Sequence, residues 1–174
     1  MATYLWGPVA VPDLTGPVQV AGALTVTGAA TLDGAVTVPT AAAAPSAAYS
    51  TASTTPVSTG VGTSLASPGT ALAWAVAAIV ANNTAGAGAS VGLYRSTAGI
   101  PAAGSAPATG DVAVWAPGAL ISGAANQAQA ACGFGQDTGL TAGTTYYYYL
   151  ALAATADTAT LAAAGTRIQV QALV

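Results

Sequence analysis

Asp111, Asp137 and Asp157 are the side chains of this sequence with the best claim to chemistry. Asp137-Thr138-Gly139, Asp157-Thr158 and Asp111 offer the hard oxygen ligands that Ca²⁺ takes, but no EF-hand or nonapeptide repeat accompanies them. Asp ahead of Thr or Gly is ordinary turn chemistry, and no metal site is expected. Asp111 and Asp137 as a glycosidase pair would need one carboxyl with a raised pKa, and no visible sequence feature raises either. Ser and Thr nucleophiles lack a base, because the chain has no His, Lys or Glu. The same absences remove imidazole catalysis, Schiff-base amines, the P-loop lysine and classical zinc sites. Neither an enzyme nor a cofactor is expected.

Only seven of 174 residues are charged, or 4%, against about 25% in an ordinary soluble domain. They are Asp13, Asp33, Asp111, Asp137, Asp157, Arg95 and Arg167. Two arginines and a pI near 4.1 cannot neutralise a phosphate backbone, so no nucleic-acid partner is expected. Each arginine is an isolated cation, and Arg95 and Arg167 are expected to pair with aspartates across subunit boundaries. Cys132 has no intrachain partner and reads as a small buried thiol. Mean hydropathy is +0.62, yet 47 alanines explain it, since each offers little surface to bury. The most apolar window, 71–81, has eleven residues, where a membrane helix needs roughly 17–25. It reads as a core element, and no membrane partner is expected. Met1 to Pro8 carries no basic region or long apolar run, so no secretory signal is expected.

The elements that would position any site begin with a repeat. Gly16, Gly22, Gly28 and Gly34 recur every six residues. Val18, Val20, Leu24, Val26, Ala30, Leu32, Val36 and Val38 alternate with Gln19, Thr25, Thr31 and Thr37, the period of a strand with one buried face. Glycine supplies the turns. Collagen needs Gly every third residue, and the β-branched content argues against helix. Four such strands bury too little to offset their own ordering. Three chains wound about one axis would pair every edge, so residues 16–39 read as a short trimeric β-stem ended by Pro39. Val18, Val20, Leu24, Val26, Leu32, Val36 and Val38 would form its core. A β-meander packed on the rest of the domain is the plainer alternative.

Residues 40–58 are low in complexity and punctuated by Pro45 and Pro56, which reads as a linker. From 59 to 174 the pattern is an all-β head domain with strands expected over 71–81, 90–95, 111–115, 118–122, 128–134, 145–153, 158–162 and 166–173. Ala124–Ala128 could be a helical turn. Gly133-Phe134-Gly135 and Gly86-Ala87-Gly88 read as turns and not phosphate cradles. Asn82-Asn83-Thr84 matches a glycosylation sequon, which is expected to be a chance match because no secretory signal is expected. Leu140-Thr141-Ala142-Gly143-Thr144-Thr145-Tyr146 resembles the tyrosine corner of β-sandwiches, where the phenol bonds backbone at a sandwich edge. In Tyr146-Tyr147-Tyr148-Tyr149 two rings should point inward or toward a partner chain. A two-layer, jelly-roll-like sandwich is the expected architecture.

Aromatics are the remaining functional candidates. Trp74 and Trp115 read as core, and Tyr94 is a candidate for an exposed ring. Tyr4 and Trp6 stand in residues 1–15, a peptide with no core of its own that would gain order by docking on a larger assembly.

An anchor peptide, a stem such as Gly22-Ala-Leu-Thr-Val-Thr-Gly28 and a closing β domain with Thr166-Arg-Ile-Gln-Val-Gln171 resemble the surface proteins of tailed-bacteriophage virions. Head fibres, capsid decoration spikes and short tail fibres share this layout. The resemblance implies a homotrimer made in the host cytoplasm and displayed on the virion surface. Its N-terminus would bind the major capsid or another virion protein, and its head would face outward. A host surface glycan enters as partner in the tail-fibre variant. No site residues are carried over from the family.

Overall fold

The computed structural model describes residues 38–173. In chain order the strands are β1 (Thr40–Ala43), β2 (Tyr49–Thr51), β3 (Val57–Ala66), β4 (Ala71–Asn82), β5 (Gly88–Ser96), β6 (Val112–Trp115), β7 (Ala119–Ile121), β8 (Gln129–Thr138), β9 (Thr145–Ala154), β10 (Ala159–Leu161) and β11 (Arg167–Ala172). They form two antiparallel sheets, with no helix among the described residues. In the first sheet β4 is central. It pairs with β8 along one edge and with β11 and β10 along the other, and β1 and β2 lie beyond them. The second sheet runs β3-β9-β5, with β6 and β7 sharing the far edge of β5.

Alternation, and not propensity, builds the first sheet. Leu72, Trp74, Val76, Ala78 and Val80 of β4 are buried, while Ala73, Ala75, Ala77 and Ile79 face the other way. A period of two satisfies one buried face, and this tertiary demand overrides the helical preference of alanine. From the second sheet, Val91, Leu93, Tyr146, Tyr148, Leu150 and Leu152 complete the shared core. The tyrosine corner forms as expected: Tyr146 Oη accepts the Thr141 N–H at 2.9 Å, and Gly143 turns the chain at φ +78°.

Several expectations are corrected. The stretch 40–58 contains β1 and β2, paired with β11 and β10. Their Ala- and Ser-rich sequences show no period of their own, so only the partner strands define them. The strand β3, Val57–Ala66, was not expected, because Gly60 and Gly62 mask its alternation at a register shift between Ser58 and Gly62. Ala124–Ala128 is a turn with Asn126 at φ 59°. Val38, assigned to the stem core, lies half-buried against the core of the two sheets, and the Pro39 carbonyl accepts the Ala172 N–H at 2.9 Å. The other stem positions, Val18, Val20, Leu24, Val26, Leu32 and Val36, and the anchor residues Tyr4 and Trp6 lie outside the described residues.

Gly133-Phe134-Gly135 is not a turn but the middle of β8, which runs on to Thr138. The glycines face inward beneath two indoles. A Cβ on Gly135 would stand 2.8 Å from Trp74 Cζ2, and one on Gly133 would stand 2.5 Å from Trp115 Nε1. The two rings lie 6.3 Å apart between centroids and tilt by 48°. Gly135→Ala should therefore cost about 1–3 kcal/mol by overpacking, although relief of glycine's conformational freedom in an open strand would favour alanine. Denaturant unfolding checks the sign, and a higher midpoint for the variant would contradict the packing.

Candidate functional site

Three of the five described charged groups, Arg95, Asp137 and Asp111, gather at the two faces of the second sheet. On its inner face Asp137, from β8, accepts Arg95 Nη1 at 2.6 Å on one oxygen and Tyr148 Oη–H at 2.8 Å on the other. The Arg95 guanidinium carbon lies 5.5 Å from the centre of the Tyr146 ring, within range of a cation–π contact. Arg95 thus finds its carboxylate in its own chain, which corrects the expectation of an inter-subunit pair. It is opposite Tyr148 in the β5–β9 register, so both side chains reach across the core toward β8.

On the outer face, one residue along, Tyr94 is opposite Tyr149 and the rings stack 5.7 Å apart. Tyr149 donates to Asp111 Oδ2 at 2.8 Å, and the Ala108 N–H reaches the same oxygen at 2.9 Å. The β5–β6 connection, residues 97–111, folds over this face. It is tied to Ser58 of β3 by Ser58 N–H to the Ser105 carbonyl (2.7 Å), Gly104 N–H to the Ser58 carbonyl (2.8 Å) and Ser58 Oγ–H to the Pro101 carbonyl (2.9 Å). Ile100 packs close over Gly62 and Tyr149, so Tyr149 is buried although it faces away from the core.

Burial raises the Tyr148 phenol far above its ordinary value, and its hydrogen bond to the Asp137 carboxylate and that group's charge add to the shift. Tyr149 is raised in the same way, by burial first and then by Asp111. Burial also pushes Asp111 upward, but hydrogen bonds from Ser96, Tyr149 and the Ala108 amide outweigh it and hold the carboxyl below its ordinary range.

This arrangement answers the chemical candidates. Asp111 and Asp137 are separated by the second sheet, so they cannot flank one glycosidic bond. Among the described residues no three His, Cys, Asp or Glu side chains gather, and Asp157 occupies a turn at φ 53°. The sequon residue Asn82 is fully buried. Its amide nitrogen bonds the Gly88 and Ala156 carbonyls and its oxygen accepts the Thr84 N–H, which leaves no amide free to carry a glycan. A cavity of about 340 Å³ lies between the β1–β2 connection and β3, with Ser46, Tyr49 and Thr59 among its lining residues.

The first sheet's outer face is different. The alanines Ala73, Ala75 and Ala77 of β4 form a floor. Across one ladder stand Gln136, Phe134 and Cys132 of β8, opposite those alanines in turn. Across the other stand Gln171, Gln169 and Arg167 of β11, opposite the same three. The result is a trough. Two depressions of about 160 Å³ each lie along its β4–β11 side and meet at Ala75 and Gln169, while Phe134, Gln136 and Cys132 stand across β4 from them. Phe134 is 87% exposed. Arg167 is exposed and makes no salt bridge among the described residues, and Cys132 points outward into solvent, not into the core as expected.

Trp74 is core, as expected, and Trp115 is half-buried against it. Tyr94 is also half-buried. Sequence reasoning missed Phe134 and the three glutamines. The signal was available in two alternations, Cys132-Gly-Phe134-Gly-Gln136 and Arg167-Ile-Gln169-Val-Gln171, the first hidden by reading its glycines as a turn. Comparison with known proteins gives no match to a family model, a curated protein or a solved structure.

Proposed function

We propose that this chain is a non-enzymatic structural protein of a phage virion. It is a homotrimeric capsid fibre or decoration spike, bound to the shell by its N-terminus and displaying the jelly-roll-like domain outward. The observation that carries this reading is the run of four glycine hexads ahead of a two-sheet domain that uses Asp111, Asp137 and Arg95 for internal bonding. A second reading, a receptor-binding tail-fibre tip that takes a glycan, is favoured by the exposure of Phe134.

Light scattering on the full chain tests the assembly. A mass near three times 16.4 kDa is expected, and Val26→Asp should reduce it to that of one chain while the unfolding of the β domain persists. A monomeric full chain would overturn the trimeric spike.

A further inference from the structure

We propose that the trough on the outer face of the first sheet binds an oligosaccharide that carries a carboxylate. Its sugar ring would stack on Phe134, its hydroxyls would meet the glutamine amides, and its carboxylate would meet Arg167. The inference deepens the receptor-binding reading and does not depend on the spike reading.

The dimensions select an extended ligand. Two ladder spacings separate the walls by roughly 9–10 Å, and the step from Ala73 to Ala77 gives a length of about 14 Å. The side chains that rise from the floor are the methyl groups of Ala73, Ala75 and Ala77, so the ligand can lie flat against it. An extended peptide is a poor occupant, because strand addition needs the free backbone donors of a sheet edge. Here both edges of β4 are already paired, with β8 and β11. Recognition must come from side chains. Each of Gln136, Gln169 and Gln171 brings two N–H donors and an acceptor oxygen, a set that suits neighbouring hydroxyls. Phe134 contributes an open aromatic face, which pairs with the apolar face of a pyranose as it does with other flat apolar groups.

Charge fixes the ligand class further. The chain carries a net −3, yet at physiological salt that charge is screened beyond about 8 Å. Asp137 faces the core and Asp111 lies behind the second sheet, so neither shares the trough. Arg167 is the cation of this face, and a guanidinium matches a carboxylate with two parallel hydrogen bonds.

Calorimetry with the full chain tests the proposal, using tetragalacturonate, a sialyl oligosaccharide and neutral maltotetraose as probes. An acidic probe should bind about tenfold or more tightly than maltotetraose, the margin of a charge-assisted hydrogen bond. Phe134→Ala should abolish binding, and Arg167→Gln should equalise acidic and neutral sugars. Both side chains are exposed, so thermal unfolding should be unchanged. Absence of binding to both acidic probes at millimolar concentration would overturn the inference, as would binding indifferent to both variants. A fall in molar mass with Phe134→Ala would show that a second copy covers the face and would also overturn it. A trimer that binds no sugar removes this inference and leaves the spike, whereas a monomer that binds acidic sugar does the reverse.

Discussion

Asp137→Ala should destabilise the β domain by about 3–5 kcal/mol, the cost of stranding one member of a buried ion pair. The carboxylate is only 8% exposed and Arg95 only 21%, so removing it leaves a guanidinium that water reaches poorly. The same deletion takes away the carboxylate that accepts from the fully buried Tyr148 hydroxyl, and an unsatisfied buried donor adds to the cost. Domains are stable by only about 5–15 kcal/mol in total, so the variant should lose a large part of its stability. Its melting temperature should fall by roughly 10–20 °C. The pair itself is not the source of that stability, because charges taken from water repay little more than their desolvation. Replacing Arg95 by Met, Asp137 by Leu and Tyr148 by Phe together should recover most of the loss. Thermal and denaturant unfolding of the single and triple variants check both halves. A single variant within about 1 kcal/mol of the parent would mean that the pair behaves as a surface ion pair.

What could be read from residues alone follows where each strand's instructions are kept. The strands β4, β9 and β11 carry theirs in themselves: Leu72-Ala-Trp74-Ala-Val76 and Ile168-Gln-Val170 alternate without interruption. The tyrosine corner was legible for the same reason, since Leu140, Gly143 and Tyr146 lie within one turn and its hydrogen bond spans five residues. β1 and β2 were not legible because Thr40–Ala43 and Tyr49–Thr51 become strands only against β11 and β10. Gly133 and Gly135 misled because an inward glycine under an indole and a glycine in a turn look alike in one dimension. With β8 taken to end at 134, Phe134 was not placed on the outer face, and the trough was lost with it. The partner of Arg95 was hidden by 42 residues of separation and by the sheet crossing that brings β8 over β5.

Alkaline pH should unfold the domain steeply, because Tyr148 and Tyr149 keep their protons when the unfolded chain gives them up. A phenol in the unfolded chain ionises near pH 10. Both side chains are fully buried, and both native values lie well above that. Above pH 10 the native state therefore binds more protons than the unfolded state, and stability falls as pH rises. The contribution is complete below about pH 10 and is lost progressively until the raised native values are reached. Two withheld protons give a limiting slope of about 2.7 kcal/mol per pH unit, enough to exhaust an ordinary domain within a few units. Denaturant unfolding from about pH 8 to about pH 12 should show this slope, and Tyr149→Phe should halve it. Stability that stays flat across that range, or tyrosinate absorbance from all seven tyrosines while the domain remains folded, would refute it. The same hydrogen bond is felt at the acid end with the opposite sign. Asp111 is held below its ordinary range in part by Tyr149, so its stabilisation is present above the usual carboxylate pKa and is lost as pH falls through the depressed one. Tyr149→Phe should flatten both limbs at once, which a defect in packing alone would not do.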